Sequence, residues 1–240
     1  VNNVDSVDKV YRILTKHMGI AGISSVACEC LKWNYRGNAH LEKGDIADAI
    51  AAYDKAIDTG YVEQEGVVLL MRATAYLKRA FEHQRELKTV VSDLSDAVPD
   101  PQSLRALYGV AKENPAFAGP IFRKVVSECR SQDKKFRQIK YRHGLYEYAL
   151  LRAARDSLRS TQLLPSYAKT WLRAGDSLAE LRKLRESAQY YERAMELDPS
   201  LAEALLPVIE RLKKSQDFLD RARANGWSED TLRLALDVAG

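Results

Sequence analysis

The sequence predicts an all-α protein, and three observations point to this fold class. Ala, Leu, Glu, Lys and Arg dominate the 240 residues, whereas 12 Gly and 7 Pro leave few points at which a helix must stop. Apolar residues recur at three- and four-residue spacing in several segments, as on amphipathic helices. Two of these segments also share one pattern of large and small residues, and such repetition indicates an α-solenoid of stacked helical hairpins.

The first copy of the pattern lies in LKWNYRGNAHLEKGD and the segment that follows it. Trp33 and Gly37 are four residues apart, so they share one face of the first helix. In the second helix, Ala49, Tyr53 and Ala56 follow the tryptophan by 16, 20 and 23 residues. A glycine within a helix costs about 1 kcal/mol relative to alanine. We therefore expect a neighbouring helix to approach closely at Gly37.

The second copy begins in TWLRAGDSLAEL and keeps all of these spacings. Trp171 and Gly175 repeat the pair on the first helix. The residues that follow the tryptophan by 16, 20 and 23 are Ser187, Tyr191 and Ala194. The shared template predicts that the two tryptophans occupy equivalent places in hairpins of one kind.

Both segments resemble the tetratricopeptide repeat, a helix–turn–helix unit of 34 residues. The resemblance covers 30–63 and 168–201, where the Trp–Gly and Tyr–Ala spacings fall on signature positions of that family. Pro199 also matches, whereas Tyr61 stands where the family commonly has proline. The resemblance implies an α-solenoid whose first helices line a groove for an extended peptide.

The middle of the chain contains a third, divided copy. Residues 66–81 resemble the first helix of a second repeat, and 145–167 resemble the end of one. We interpret the intervening 82–144 as a long helical insertion. The overlong helices expected on this interpretation span Glu65–Ala97 and Asp133–Leu163, and short helices near 103–113 and 121–130 join them at the tip.

A second interpretation of the middle remains open at this stage, in which it holds two degenerate repeats beginning at 100 and 134. Tyr108 and Tyr141 would then occupy positions that require small residues. The insertion is the interpretation we adopt. The complete predicted organisation comprises an N-terminal helix within 1–24, a repeat domain over 25–201, and capping helices over 202–240.

The same sequence gives no indication of catalysis or membrane insertion. It has none of the glycine-rich, zinc-binding or nucleophile motifs of common enzymes, so we expect a non-enzyme without cofactor or metal. No long apolar run predicts a membrane span, and VNNVDSVDKVYRIL lacks the pattern of a secretory signal. Cys28, Cys30 and Cys129 have no metal-binding spacing and are interpreted as free thiols. A cytoplasmic protein is the resulting expectation.

The resemblance also implies candidate peptide-binding residues. One subset of the family binds the acidic C-terminal tails of heat-shock chaperones through a clamp of Lys, Asn, Asn, Lys and Arg. The corresponding positions in this sequence are Asn34, Asn38, Met71, Lys169 and Arg173. Three of the five match, since Asn34 replaces a lysine and Met71 replaces an asparagine.

Lys169 and Arg173 are candidates on physical grounds as well. They are four residues apart, so both project from one helix face, away from Trp171 and Gly175. Two cations there can hold a carboxylate, and the arginine can do so through two parallel hydrogen bonds. Asn38 can donate to a peptide, and Tyr35, Met71 and Tyr76 are supporting candidates. The predicted function is therefore a co-chaperone-like adaptor or assembly scaffold that binds an acidic peptide of another protein.

A basic segment, Pro120–Arg142, offers an alternative. Its net charge is +6, whereas the whole chain carries +4. Charge concentrated in this way is typical of an anion-binding surface, with an acidic protein or a nucleic acid as its partner. The cations of this basic arm are Arg123, Lys124, Arg130, Lys134, Lys135, Arg137, Lys140 and Arg142.

Overall fold

The computed structural model describes residues 25–95 and 115–226, with side chains for 25–89, 134 and 137–226. The described chain is helical and contains no strand, which confirms the predicted fold class. The helices are α1 (Ser25–Lys43), α2 (Ile46–Asp58), α3 (Val62–Ser95), α4 (Pro115–Leu163), α5 (Ala168–Glu180), α6 (Leu184–Leu197) and α7 (Ala202–Ala224), with a 3₁₀ turn at Pro199–Leu201. The predicted N-terminal helix, the helix near 103–113 and the last capping helix lie outside the described residues.

Helices α1 and α2 form the first hairpin, and a tyrosine ring fills the space beside its glycine. A Cβ atom added at Gly37 would lie 2.4 Å from Cε1 of Tyr53. Tyr53 is fully buried, and α3 adds Val68 and Ala75 to the same apolar cluster. The predicted close approach at Gly37 is therefore made by the tyrosine ring of the second helix.

Helices α5 and α6 repeat this arrangement. A Cβ atom at Gly175 would lie 2.6 Å from Cδ1 and Cε1 of Tyr191. Each tryptophan is half-buried, and a cation that follows it by 22 residues lies over its ring. Lys55 Nζ is 4.3 Å from the Trp33 ring centroid, and Arg193 Cζ is 5.9 Å from that of Trp171.

The turns of the two hairpins are equivalent as well. Gly44, between α1 and α2, has φ +88°, in the left-handed region that glycine enters without strain. Arg182 occupies the same place between α5 and α6 with φ 59°, and it is the one described non-glycine residue with positive φ. Both hairpins thus follow one backbone path although only one has glycine at the turn.

The described residues divide into two compact units. One comprises 25–78 with 150–226, and the other comprises 79–95 with 115–149. In the first unit, Ser160 Oγ on α4 donates to the carbonyl oxygen of Gly66 on α3 over 2.7 Å. The two parts of the divided middle copy therefore meet, 94 residues apart in the chain.

Two of the helix boundaries predicted for the middle differ from the structure. Helix α4 begins at Pro115 instead of Asp133, and it includes the segment 121–130 that was expected to be a separate short helix. The reason is that no Gly or Pro interrupts 121–143. The alternative repeat that begins at 134 requires a turn between its helices, and α4 has none within 134–163. The interpretation of 82–144 as an insertion stays a prediction.

Helix α7 packs along α6 through Leu205, Ile209 and Leu212, which join a buried cluster with Tyr191 and Ala194. It ends at Ala224, and Gly226 follows in the left-handed conformation with φ +81°. Glycine in this conformation is a common end of a helix. The apolar face of α6 is thereby covered by α7.

Candidate peptide-binding site

Lys169 and Arg173 project from α5, but their surroundings differ. Lys169 is exposed, and no described carboxylate lies within ion-pair distance of it. Arg173 is half-buried, and its Nη1 donates to Oδ2 of Asp176 over 2.8 Å. Its Nε is shielded from solvent and has no hydrogen-bond partner. The pair thus offers one free ammonium group and one guanidinium that already shares a carboxylate.

Asp176 connects Arg173 to the core of the hairpin. Its Oδ1 accepts a 2.9 Å hydrogen bond from the hydroxyl of Tyr191, the residue that packs against Gly175. Burial raises the pKa of the Asp176 carboxyl, and Arg173 and Tyr191 counteract this effect only in part. The ring that fills the hairpin therefore also fixes the carboxylate that holds Arg173.

Asn38 occupies in the first hairpin the place that Asp176 occupies in the later one. Its Oδ1 accepts a 2.8 Å hydrogen bond from the Tyr53 hydroxyl. Since the oxygen is occupied by this bond, the amide nitrogen is the group of Asn38 left to donate. The donor role expected for Asn38 stays a prediction.

The other two clamp candidates, Asn34 and Met71, differ in burial. Asn34 is only 8% exposed, and its Oδ1 is buried without a hydrogen-bond partner. Met71 is half-buried and packs against the cluster around Tyr53 and Val68. Tyr35 is exposed, whereas Tyr76 is buried. Lys169 and Tyr35 are therefore the exposed candidates, whereas Asn38, Met71 and Arg173 are half-buried.

The basic arm is described only in its second half. Lys134, Arg137 and Lys140 are exposed, and Tyr141 among them is 68% exposed. Arg142 pairs with Glu86 of α3, so its charge is partly compensated. The side chains of the remaining members, Arg123, Lys124, Arg130 and Lys135, lie outside the described ones.

An ion-pair network that sequence reasoning missed joins three helices. Nε and Nη2 of Arg72 on α3 donate to the two carboxylate oxygens of Asp156 on α4 over 2.7 and 2.9 Å. Nη1 donates to Asp54 on α2 over 2.5 Å. Burial alone would lower the pKa of Arg72, but the two aspartates outweigh it and raise this pKa. No local pattern could reveal the network, because Arg72 and Asp156 are 84 residues apart.

One group among the described residues could supply three metal ligands. Potential ligand atoms of His40, Asp45 and Asp48 lie within 4.8 Å of one another. Asp45 and Asp48 stand at the start of α2, where a helix favours carboxylates in the absence of any ion.

Over the described ranges, every helix is too short or too polar to cross a membrane.

Comparison with known families agrees with the two equivalent hairpins. Models of the tetratricopeptide repeat match residues 30–59 and 168–201. The first range covers most of α1 and all of α2, and the second contains α5 and α6. No curated protein matches the chain. The two matches support the tetratricopeptide repeat family and, with it, a module for protein–protein interaction.

Proposed function

We propose that the chain is a non-catalytic adaptor or assembly scaffold of co-chaperone type. In this proposal it binds an extended acidic peptide of another protein, with a free C-terminus. Lys169 and Arg173 bind a carboxylate, and the amide of Asn38 donates to the peptide. The observation that carries the proposal is the exposed, unpaired ammonium of Lys169 one helical turn from the Arg173 guanidinium.

The chemistry of this site favours a carboxylate ligand. A peptide carboxylate that approaches Lys169 meets a cation that no described carboxylate engages, and it shares Arg173 with Asp176. Arginine has five N–H donors, and Asp176 engages one of them. A shared guanidinium binds a second anion more weakly than a free one, so Lys169 contributes the larger part of the affinity.

Fluorescence polarisation tests this function with a fluorescein-labelled, Glu- and Asp-rich octapeptide in free-acid and C-terminally amidated forms. We expect Lys169→Ala/Arg173→Ala to weaken binding of the free-acid form by about tenfold or more, since charge-assisted hydrogen bonds contribute about 1.5–3 kcal/mol. The matched control is Lys213→Ala/Lys214→Ala on α7, which removes the same charge and should change affinity by less than about twofold. Equal losses in the two variants would refute the proposed site.

Nucleic-acid or anion binding through the basic arm remains the alternative. It is supported by the exposed rings of Tyr141 and Tyr148, which follow the exposed cations Lys134 and Lys140 in the sequence. A labelled single-stranded RNA serves as its probe in the same assay. The alternative would be favoured over the groove if the chain binds the RNA, loses this binding when the charges of 134–142 are neutralised, and does not bind the octapeptide.

A further inference from the structure

Arg152 on α4 stands out among the arginines that the structure describes. It is half-buried, and its guanidinium carbon lies 5.4 Å from the ring centroid of Tyr76 on α3. Tyr76 is itself only 7% exposed, so the ring is a fixed support and not a mobile surface group. Burial raises the pKa of the Tyr76 hydroxyl, whereas the charge of Arg152 and its hydrogen bond to Tyr76 lower this pKa, which agrees with their proximity.

Arg152 lacks a counter-charge in the described part of the chain. Among the described side chains, no carboxylate lies within 4 Å of its nitrogens, and its Nε is shielded from solvent without a hydrogen-bond partner. The nearby acids are already engaged, because Arg72 holds both oxygens of Asp156 and also binds Asp54. A guanidinium that is partly withdrawn from water and has no carboxylate partner costs free energy, which a bound anion would recover.

We infer that Arg152, supported by Tyr76, is a second carboxylate-binding site, which receives an Asp or Glu side chain of a protein partner. The guanidinium lies beside the Tyr76 ring and hydrogen-bonds to the Tyr76 side chain, and its remaining N–H donors are left for a carboxylate. This site belongs to α3 and α4, whereas Lys169 and Arg173 belong to α5. The inference rests on the proposed function only in taking the partner to be a protein.

The surrounding charges favour a single carboxylate over a polyanion. Asp54 and Asp156 are already paired with Arg72, and Asp54 is partly exposed. A phosphate dianion or a nucleic-acid backbone would meet the repulsion of these aspartates more strongly than a monovalent carboxylate does. The buried Tyr76 ring is also unavailable for stacking on a base.

The Nε–Hε resonances of the arginines test the site directly in the ¹⁵N-labelled 240-residue chain. Sodium acetate and an N-acetylated, C-terminally amidated hexaglutamate are titrated at constant ionic strength. The Arg152 signal, assigned by its disappearance in Arg152→Lys, should shift saturably, while that of Arg72, held by Asp156 at 2.7 Å, should not. A static Arg152 signal, or a larger shift with inorganic phosphate than with acetate, would overturn the inference.

Affinity for the amidated hexaglutamate gives the second readout. Arg152→Gln should weaken binding about tenfold, at the lower end of what a charge-assisted pair contributes. Arg155→Gln removes the same charge from an exposed position one turn away and should cost less than about twofold. Arg152→Lys keeps the charge and is the variant less disruptive to the fold. Its affinity for the hexaglutamate should still fall about fivefold, since an ammonium lacks the planar donor geometry of a guanidinium.

Two outcomes of the affinity series would overturn the site: equal losses in Arg152→Gln and Arg155→Gln, or full affinity in Arg152→Lys. The amidated probe has no terminal carboxylate, so its binding is read separately from the free-acid octapeptide. If Lys169→Ala/Arg173→Ala leaves octapeptide binding unchanged while Arg152→Gln abolishes hexaglutamate binding, the groove proposal fails and the Arg152 site stands.

Discussion

Alanine at Gly37 should destabilise the chain because the space beside this glycine is already filled. Three ring atoms of Tyr53 would lie 2.4, 2.6 and 2.8 Å from the new Cβ, closer than packed carbon atoms approach. Tyr53 is fully buried within a cluster from three helices, so the ring has no free direction in which to move.

The expected magnitude combines three effects. Overpacking costs about 1–3 kcal/mol, and the three close contacts place this case near the upper end. Displacement of the ring also breaks the 2.8 Å hydrogen bond from its hydroxyl to Asn38, which contributes about 1 kcal/mol. Alanine restores about 1 kcal/mol of helix propensity. We expect a net loss of about 3 kcal/mol in the free energy of unfolding.

Urea unfolding followed by circular dichroism and tryptophan fluorescence measures this loss, and the chain supplies a matched control. Gly144 also lies within a helix, but a Cβ there would meet nothing within 4 Å. Gly144→Ala should therefore stabilise by up to about 1 kcal/mol. In a Tyr53→Leu background, which lacks two of the three contacting atoms, Gly37→Ala should cost less than about 1 kcal/mol. Similar effects of the alanine at 37 and at 144 would refute the packing argument.

Two further predictions concern charges inside the repeat unit. Arg72→Met should lower the free energy of unfolding by about 3–5 kcal/mol, because Asp156, only 3% exposed, loses the cation that it pairs with. In urea unfolding, Arg72→Met/Asp156→Leu should recover most of that loss. A cost below about 1 kcal/mol for the single variant would contradict this prediction. Because burial raises the folded-state pKa of Asp176, the folded state binds the proton more tightly, and this contribution to stability is lost as pH rises from about 3.9, the ordinary aspartate value, through the raised pKa. Asp176→Asn should lack that pH-dependent loss, so its stability relative to the wild type should grow across this pH window and then level off. Parallel profiles of stability against pH for the two proteins would disprove the raised pKa of Asp176.

Sequence periodicity predicted the hairpins well because their determinants are local. The spacing from Trp33 to Gly37 indicates which residues share a face of the first helix, and the spacing to Tyr53 indicates that the second helix packs against that face. The cost of a mid-helix glycine correctly indicated a close neighbour. Only the structure identifies that neighbour as the ring of Tyr53 and shows that the same ring orients Asn38.

The candidate site was less predictable, because helical spacing defines a face but not what covers it. The exposed position of Lys169 follows from its place on α5, whereas the burial of Asn34 depends on packing that no local pattern encodes. Arg152 gave no signal in the sequence for the same reason. Its support, Tyr76, and the aspartates that leave it unpaired come from other parts of the chain.

The bond between Arg72 and Asp156 has a consequence for the order in which the hairpins form. The hydroxyl bonds of Tyr53 and Tyr191 each close a loop of 15 residues, but Arg72 and Asp156 close one of 84. For flexible loops, that difference amounts to about 1.5 kcal/mol of additional closure entropy. The outer hairpins, α1 with α2 and α5 with α6, should therefore form early during folding. The contact between α3 and α4 should form last, after the two outer hairpins are in place.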